Sequence, residues 1–352
     1  MDKSFYSIID ACLNRAVEGV RVCEDLLRFY YRREEYSVRL KEIRHRIVRE
    51  AAVFPAGMLL SGRDVESDGQ KFANMGDETG KSPHDLLRAN LHRAIEAVRS
   101  LEEMCKLTDC ATDNNRFQEI RFSLYQLEKE AVSSLSRDEK TKLFPGSLYA
   151  IIDSAFVNGS CEMAALRLIA GGAKIIQLRM KNEPSRIILQ NAKLLAPICR
   201  DNGAIFIVND HADIALLSGA DGVHLGQDDI PVPDARRIIT DSMIVGVSTH
   251  SYDQAVAAAA MGPDYIAVGP VFGTASKSGT QIPGIGIDMV KRIRAAVDLP
   301  LVGIGGITSE NAGALREAGC SALAVLSFLY GNNALEENCR GMARAMGSGD
   351  NP

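Results

Sequence analysis

Several residues in the second half of the chain have side chains that could bind a diphosphate and help it to leave. Arg179 and Lys181 stand at the end of one apolar segment and Lys277 follows another, and together they would bring three cations to one place. Asp210 and Asp229 follow two neighbouring segments, and carboxylates placed in this way can hold a Mg2+ ion in an oxygen shell. Cations and a carboxylate-bound Mg2+ are what a departing diphosphate requires. These residues therefore predict chemistry in which a diphosphate is the leaving group.

A glycine pair, Gly305-Gly306, could bind a phosphate, because bare backbone N–H groups there would be joined by the positive end of a following helix. Taken alone, such a pair occurs in phosphate-binding barrels of many activities. A single Asp at a strand end can equally be a helix N-cap, and His224 and His250 can be structural histidines. The joint placement of polar residues after seven consecutive apolar segments favours a functional site.

The apolar segments themselves predict a (β/α)8 barrel. Each is short and rich in β-branched residues, as parallel strands buried on both faces are, and helical stretches separate them. A doubly wound open sheet is the alternative, but it rarely needs eight strands so evenly spaced. In such a barrel the active site lies at the carboxyl ends of the strands, where the candidate residues stand. The predicted strands are 148–153, 174–179, 204–210, 222–226, 244–248, 265–269, 300–306 and 322–327.

The first half of the chain has apolar residues at helical spacing and predicts an all-α domain. The fold class is thus α/β, with a C-terminal (β/α)8 TIM barrel preceded by an all-helical domain. We expect the helical domain at 1–140, a linker at 141–147 and the barrel at 148–348. The predicted helices are 4–31, 34–60, 83–108 and 113–135, with a long polar loop between the second and third.

The helical half contains an internal repeat, since 13–25 reads LNRAVEGVRVCED and 91–103 reads LHRAIEAVRSLEE. Two interpretations stand. The repeated charges could form ion pairs along two exposed helix faces, or the paired helices could present a shared polar groove. We predict the groove, in which arginines would hold a substrate phosphate and the loop with Asp64 and Asp68 would close over it. The candidate residues are Arg15, Glu18, Arg21, Glu24, Arg93, Glu96, Arg99 and Glu102.

Composition excludes several classes of protein. The formal net charge of −5 gives no basic field for nucleic acid or anionic membrane, and no apolar run is long enough to cross a bilayer. The eight cysteines are scattered without a C-x-x-C pair, and no signal peptide is evident, which indicates a cytoplasmic protein. We expect small-molecule substrates as partners. The oligomeric state is open, a homo-oligomer included.

The barrel half resembles the thiamin-phosphate synthase family over about 148–330. The resemblance rests on QLRMK, ND, GVHLGQDD, GVS, GPVFGTASK, GIGGI and LS, in this order. It implies the joining of hydroxymethylpyrimidine diphosphate to thiazole phosphate, and one Mg2+ ion bound by Asp210 and Asp229. The implied catalytic residues are Arg179, Lys181, Lys277 and Ser248. The implied substrate-binding residues are Gln177, Asn209, Thr274, Ser276, Gly306, Leu326 and Ser327. Their positions at the ends of predicted strands add His224 and Gly305 to this set.

Within that set, the resemblance implies that Gln177, Asn209 and the catalytic residues contact the pyrimidine diphosphate. The residues that it implies for the thiazole-phosphate site are Thr274, Ser276, Gly306, Leu326 and Ser327. The chain departs from the family pattern at Met180, usually acidic, and at His211, often Asp. The loop reads TASK in place of Thr-x-Thr-Lys, and Ser276 keeps the hydroxyl.

The helical half resembles a domain that precedes some of these synthases and is assigned as a hydroxymethylpyrimidine-phosphate kinase. The resemblance covers about 5–108 and rests on LNRAVEGVRVCEDLLRF, KEIRH, GRDV and NLHRAIEAVRSLEEMCK. It implies a phosphoryl donor, for which ATP is the candidate, although no Walker motif is present. Two alternatives remain: a docking or oligomerisation role for this half, and a thiazole-tautomerase-like activity for the barrel, which would not need QLRxK, ND and the TASK lysine together.

Overall fold

A computed structural model of the chain describes residues 3–62, 82–107, 114–157, 159–273 and 282–347. The chain divides into two compact units, Met1–Ser133 and Ser134–Pro352. The division falls earlier than the predicted domain end at residue 140 and lies within a helix. Among the described residues, no helix combines the length and the apolar character that a membrane span needs.

The first unit is helical, as the apolar spacing predicts. Its helices are α1 (Lys3–Asp25), α2 (Glu34–Glu50), α3 (Ala56–Gly62), α4 (Pro83–Cys105) and α5 (Asn114–Thr141), and α1 continues into a π-helical turn, Leu26–Tyr30. The start of α4 follows from its sequence. Ser82 and Asp85 form a capping box, and Pro83 occupies the first turn, where its missing N–H has no helical partner to lose.

Two helix predictions in this unit are wrong in their bounds. The predicted helix 34–60 is interrupted, because α2 ends at Glu50 and a short 3-10 turn leads to Pro55 and α3. Proline lacks an amide proton and disfavours helical geometry in the residue before it, and Phe54 is accordingly extended. The helix predicted to end at 135 continues to Thr141.

The second unit is a closed barrel of eight parallel strands in sequential order, which confirms the predicted fold class. Each strand pairs with the next, and β8 closes the barrel on β1. Most strands are one or two residues shorter than predicted. The strands are β1 (Ser147–Asp153), β2 (Ile175–Arg179), β3 (Ile205–Asn209), β4 (Gly222–Leu225), β5 (Ile244–Thr249), β6 (Tyr265–Val268), β7 (Leu301–Ile304) and β8 (Ala322–Val325).

Side-chain alternation divides the barrel into two cores. Outward-facing strand residues pack under the surrounding helices, and inward-facing residues fill the barrel itself. The helices are α6 (Cys161–Ala170), α7 (Ser185–Asp201), α8 (Ala212–Ser218), α9 (Val232–Ile238), α10 (Tyr252–Ala260), α11 (Ile287–Ala296), α12 (Ala312–Glu317) and α13 (Leu335–Ala345). The inner core includes Tyr149 and Tyr265, whose hydroxyl groups lie inside the barrel.

The segment predicted as a linker closes the amino-terminal end of the barrel. Phe144 is fully buried in the inner core, and its ring centroid lies 4.9 Å from that of Tyr265. The last turns of α5 are held beside it. Arg137 Nε lies 3.3 Å from Asp264 Oδ1, and Lys140 Nζ lies 3.1 Å from Asp221 Oδ1. Residues 141–147 are therefore part of the barrel's base.

Candidate active site

A cavity of about 440 Å3 opens at the carboxyl ends of the strands. Inward-facing residues of successive strands line it, because strand alternation brings their side chains to the barrel axis. The cavity gathers most of the sequence-predicted site residues. Those that line it are Gln177, Arg179, Asn209, His224, Ser248, Gly305, Gly306, Leu326 and Ser327.

Arg179 forms an ion pair with Asp153, a residue that the sequence analysis missed. The two residues end neighbouring strands and are direct partners in the β1–β2 register. The Asp153 side chain is 5% exposed, and its Oδ1 also accepts a hydrogen bond from Ala155 N at 3.0 Å. The carboxylate thus holds the guanidinium at the cavity wall, with its charge available at the mouth.

Lys181, Asp210 and Asp229 form a charged group beside the cavity. Lys181 Nζ lies 3.5 Å from Asp210 Oδ2, and the lysine side chain is half exposed. Asp229 Oδ2 accepts a hydrogen bond from Gly226 N at 2.6 Å. Burial, followed by the neighbouring Asp229 carboxyl, raises the pKa of Asp210 above its usual range, and Lys181 acts against this.

The carboxylates of Asp210 and Asp229 are the groups that would bind a Mg2+ ion at this site. Two acidic groups from neighbouring strands are close enough to raise a pKa, so a cation between them would relieve their repulsion. Among the described residues, no cluster of three or more His, Cys, Asp or Glu could hold a metal by itself. Two carboxylates suit Mg2+, which usually keeps waters and binds substrate phosphates. The residues present fit the ion.

A chain of buried hydrogen bonds crosses the barrel interior, and all its members except Tyr265 also line the cavity. Gln177 Nε2 donates to Tyr149 Oη at 2.9 Å, and Tyr149 Oη lies 2.9 Å from Tyr265 Oη. Tyr265 Oη lies 2.9 Å from His224 Nδ1, and His224 Nε2 lies 2.8 Å from Ser248 Oγ. Both tyrosines stand in apolar strand segments of the sequence and were not predicted as site residues. Strand alternation makes both side chains face the barrel axis, and this was the signal that could have identified them.

Tyr265 reaches this position because Gly246 faces it across the β5–β6 register. A Cβ atom at Gly246 would overlap the tyrosine ring. The absence of a side chain at residue 246 therefore leaves the space that the ring fills.

Gly305 and Gly306 form a bend with positive φ angles of 98° and 65°. The expectation that a helix follows them directly is wrong, because α12 begins at Ala312 and is short. A turn stands between them, in which Asn311 Nδ2 donates to Gly306 O at 2.9 Å and Thr308 N donates to Asn311 Oδ1 at 2.9 Å. Any phosphate here would meet the backbone of the bend and not a helix end.

Three predicted residues, Thr274, Ser276 and Lys277, lie outside the described residues. Of the others near the mouth, His250 lines the cavity and its Nδ1 lies 2.6 Å from Gly269 O. Gln227, which the sequence analysis did not select, donates from Nε2 to Ser248 O at 2.6 Å. The serine backbone is thus fixed from the β4 side.

The repeat of the helical unit occupies two helices that pack antiparallel. Cys23 of α1 contacts Leu87 of α4, and Cys12 lies beside Ser100. The helices approach closely at Gly19, where an added Cβ would lie 2.9 Å from a backbone oxygen of α4. This arrangement relates the two copies of the repeat by an approximate twofold axis.

Glu24 and Glu102, equivalent in the repeat, each form a buried ion pair. Glu24 Oε2 lies 2.9 Å from Arg44 Nε of α2, and Glu102 Oε2 lies 2.9 Å from Arg121 Nε of α5. The glutamates are 6% and 7% exposed. Both arginines end a Glu-Ile-Arg triplet, at 42–44 and 119–121, so the repeat extends into the second helix of each pair.

The other repeated charges are exposed: Arg15, Glu18, Arg21, Arg93, Glu96 and Arg99. Arg21 Nε lies 3.2 Å from Asp25 Oδ2, and its equivalent Arg99 pairs with Glu103 at 2.7 Å and with Glu102 at 2.6 Å. Arg93 donates to Asn90 Oδ1 at 3.0 Å. Asp64 and Asp68, expected to close over the groove, lie outside the described residues.

Comparison with known proteins gives matches to both halves. Residues 148–329 match the family model of thiamine monophosphate synthase, and residues 7–130 match the ThiD2 family. A thiamine-phosphate synthase from Gloeobacter violaceus is 37% identical over 324 residues, which cover 91% of this chain and 90% of that protein. One from Methanoculleus marisnigri is 45% identical over 196 residues, covering 55% of this chain and 92% of its own. The structure of thiamine phosphate pyrophosphorylase from Pyrococcus furiosus matches with a TM-score of 0.53 and 30% identity, covering 58% of this chain and 98% of that one.

Proposed function

The chain belongs to the thiamine-phosphate synthase family, and we propose that the barrel mouth performs the family's reaction with the residues described above. The protein is a transferase of thiamine biosynthesis. It couples 4-amino-5-hydroxymethyl-2-methylpyrimidine diphosphate with 4-methyl-5-(2-phosphoethyl)thiazole, and the products are thiamin phosphate and diphosphate. The observation that carries the assignment of residues is the convergence of Gln177, Arg179, Asn209, Ser248 and Gly306 on one cavity.

The pyrimidine diphosphate binds along β2, β3 and β5. Gln177 and Asn209 present amides that can pair with the polar edge of an aminopyrimidine, and both are almost fully buried. Ser248 places a hydroxyl beside them. Arg179, oriented by Asp153, and Lys181 carry positive charge to the side of the mouth where the diphosphate would lie.

Mg2+ is the cofactor that we propose for this site, held by Asp210 and Asp229. Bound there, the ion would supply further positive charge to the diphosphate oxygens. Lys277, the lysine of the TASK motif, is proposed to bind the diphosphate together with Arg179 and Lys181. Thr274, Ser276, the Gly305-Gly306 bend, Leu326 and Ser327 are proposed to bind the thiazole phosphate on the opposite wall.

The reaction is a dissociative substitution. The bond between the pyrimidine methylene carbon and the diphosphate oxygen breaks, and the diphosphate takes the electron pair. The aminopyrimidine ring stabilises the resulting cation, and the thiazole nitrogen donates its lone pair to form the new C–N bond. The chain's residues neutralise the leaving charge and keep the two rings in contact, so that positioning and electrostatics supply the catalysis.

The test is steady-state kinetics on single variants. We expect Arg179→Ala and Asp210→Ala to lower kcat/KM by roughly a hundredfold or more, because each removes charge stabilisation of the leaving group. Arg237→Ala is the matched control, since that side chain is 83% exposed on α9, away from the mouth. Near-normal kcat/KM for Arg179→Ala and Asp210→Ala at saturating Mg2+ would refute these roles.

For the helical unit we propose phosphorylation of the pyrimidine monophosphate, with ATP as donor. The match of residues 7–130 to the ThiD2 family supports this, together with the exposed charges carried by both antiparallel helices. Arginines such as Arg21 and Arg99 could bind a phosphate with two parallel hydrogen bonds. The product would be the substrate of the barrel, and fusion would raise its local concentration.

This second activity is measured with the full chain. Pyrimidine monophosphate, ATP and Mg2+ are supplied without thiazole phosphate, and formation of the pyrimidine diphosphate is followed. We expect turnover that Arg21→Ala and Arg99→Ala lower, whereas Arg46→Ala, which removes an exposed ion pair with Glu119, leaves it unchanged. No turnover by the wild type would favour the docking or oligomerisation role, which sedimentation of the intact protein can detect.

A further inference from the structure

The hydrogen-bond chain across the barrel interior connects two residues that line the cavity. It runs from Gln177 through Tyr149, Tyr265 and His224 to Ser248, and each link is 2.8 or 2.9 Å long. Its middle members are 0–7% exposed. The two ends of the chain are therefore connected through groups that are almost fully buried.

The number of protons in this chain restricts how it can be arranged. A tyrosine hydroxyl has one proton, so each tyrosine can donate to only one of its two partners. With Gln177 donating its amide N–H to Tyr149, each contact holds one proton only if Tyr149 donates to Tyr265 and Tyr265 donates to His224 Nδ1. The neutral imidazole then carries its proton on Nε2 and donates to Ser248 Oγ, which leaves the serine proton free to point into the cavity.

The reverse arrangement changes both ends at once. If Tyr149 donated to Gln177, the amide would have to turn its carbonyl oxygen to the tyrosine and its NH2 group to the cavity. His224 would then carry its proton on Nδ1, and Ser248 would donate to Nε2 and offer only lone pairs to a ligand. The orientation of one amide and the tautomer of one histidine are thus a single choice.

We propose that Tyr149 and Tyr265 are positioning residues that fix this choice, so that Gln177 presents its carbonyl oxygen and Ser248 its hydroxyl proton to the substrate. This rests on the proposed function, in which both end residues contact the pyrimidine diphosphate. An exocyclic amino group is a hydrogen-bond donor and matches the Gln177 oxygen. The Ser248 proton matches a ring nitrogen or a diphosphate oxygen, both of which accept.

Burial keeps the two tyrosines suitable for this role. Loss of solvent raises the pKa of Tyr149 and that of Tyr265, so both hydroxyls retain their protons. The base of the barrel also holds the rings in place, since Phe144 packs on Tyr265 and Gly246 leaves room for it. A hydroxyl can therefore be removed by Tyr→Phe substitution without removing the packing of the ring.

The first measurement is the tautomer of His224 in the substrate-free protein, from the 15N chemical shifts of the ring nitrogens at mildly alkaline pH. We expect protonation at Nε2 in the wild type and in Tyr149→Phe, where Tyr265 still donates to Nδ1. We expect a mixture of tautomers in Tyr265→Phe. Protonation of wild-type His224 at Nδ1 would overturn the proposed direction of the chain.

The second measurement compares kcat/KM for the pyrimidine diphosphate and for an analogue without the amino group. We expect Tyr149→Phe and Tyr265→Phe to reduce the preference for the amino substrate by on the order of tenfold, with KM for thiazole phosphate unchanged. Tyr330→Phe is the matched control, since it removes a tyrosine hydroxyl that donates to Ile151 O and is not part of the hydrogen-bond chain. An unchanged preference in both variants, with unchanged tautomers, would overturn the positioning role. The tautomer measurement does not depend on turnover, so a failed synthase assignment would be recognised separately.

Discussion

Asp153 at the end of β1 binds Arg179 at the end of β2, and the pair stands where the barrel opens. The arginine is proposed to bind the leaving diphosphate, so the aspartate determines where that charge is held. A guanidinium fixed before substrate arrives loses less conformational freedom on binding and is worth more in the transition state.

We expect Asp153→Asn to lower kcat/KM for the pyrimidine diphosphate by roughly ten- to hundredfold, because Arg179 loses its charged partner while side-chain size is kept. Stability should fall by about 1–3 kcal/mol, since a buried charge loses its hydrogen bond. Asp234→Asn is the control. It removes an exposed pair with Arg237 and should change neither quantity beyond about 1 kcal/mol. Equal kinetics for Asp153→Asn and wild type would contradict the interpretation.

Gly306→Ala should weaken binding of thiazole phosphate. The residue has a φ of 65°, and an added Cβ would lie 2.8 Å from Phe272 Cβ, so the bend must shift. We expect KM for this substrate to rise about tenfold or more, in line with roughly 1–2 kcal/mol of backbone strain. Gly313→Ala, in α12 with open space around it, should leave KM unchanged. The prediction fails if the two variants bind thiazole phosphate alike.

The raised pKa of Asp210 makes the metal-free protein sensitive to pH. A carboxyl whose pKa is higher in the folded state binds its proton more tightly there. The protonated Asp210 carboxyl therefore stabilises the folded state at pH values below the pKa of the unfolded chain, about 4. This stabilisation is lost as the pH rises through the pKa of Asp210 in the folded protein. In EDTA, the stability advantage of Asp210→Asn over wild type should grow from acidic to neutral pH, and exposed Asp253→Asn should show no such trend. A difference independent of pH would argue against a close carboxyl pair.

The two buried ion pairs of the helical unit should each be costly to break. Glu102→Gln leaves Arg121 without its charged partner, and we expect the free energy of unfolding to fall by about 3 kcal/mol or more. Glu24→Gln should behave similarly through Arg44. Arg46→Ala, in an exposed pair, should cost about 1 kcal/mol or less. Denaturant unfolding of the intact chain provides the comparison. If the free energy of unfolding falls by less than about 1 kcal/mol in both Glu24→Gln and Glu102→Gln, the ion pairs do not stabilise the unit.

Much of the barrel could be predicted from the sequence, because alternation and strand ends specify which residues face the axis. Gln177 and Arg179 were identified in this way and line the cavity. Asp153, Tyr149 and Tyr265 were not, because a strand residue's inward side chain acquires a function only from its partner on another strand. In a single sequence, nothing connects residues as distant as 149 and 265.

The helical unit shows the same limit in another form. The repeat was visible as spacing, but it did not distinguish the buried Glu24 from the exposed Arg21, since both lie on the same polar face. Burial depends on which helix packs over that face, and the partner arginine of Glu24 is 20 residues away in α2. The break at Pro55, by contrast, could have been predicted from local chemistry alone, although the predicted helix 34–60 continued through it.

The fit of the Tyr265 ring over Gly246 limits how this barrel can change over generations. A side chain at residue 246 is admissible only after the ring at 265 has become smaller, and the smaller residue would first leave a void at the barrel's base. Either single step is harmful, so the two positions should be inherited together across related barrels. A lineage that lost the tyrosine could readily gain a larger residue at position 246. A tyrosine could then not return to position 265, because that larger side chain would occupy the space of its ring.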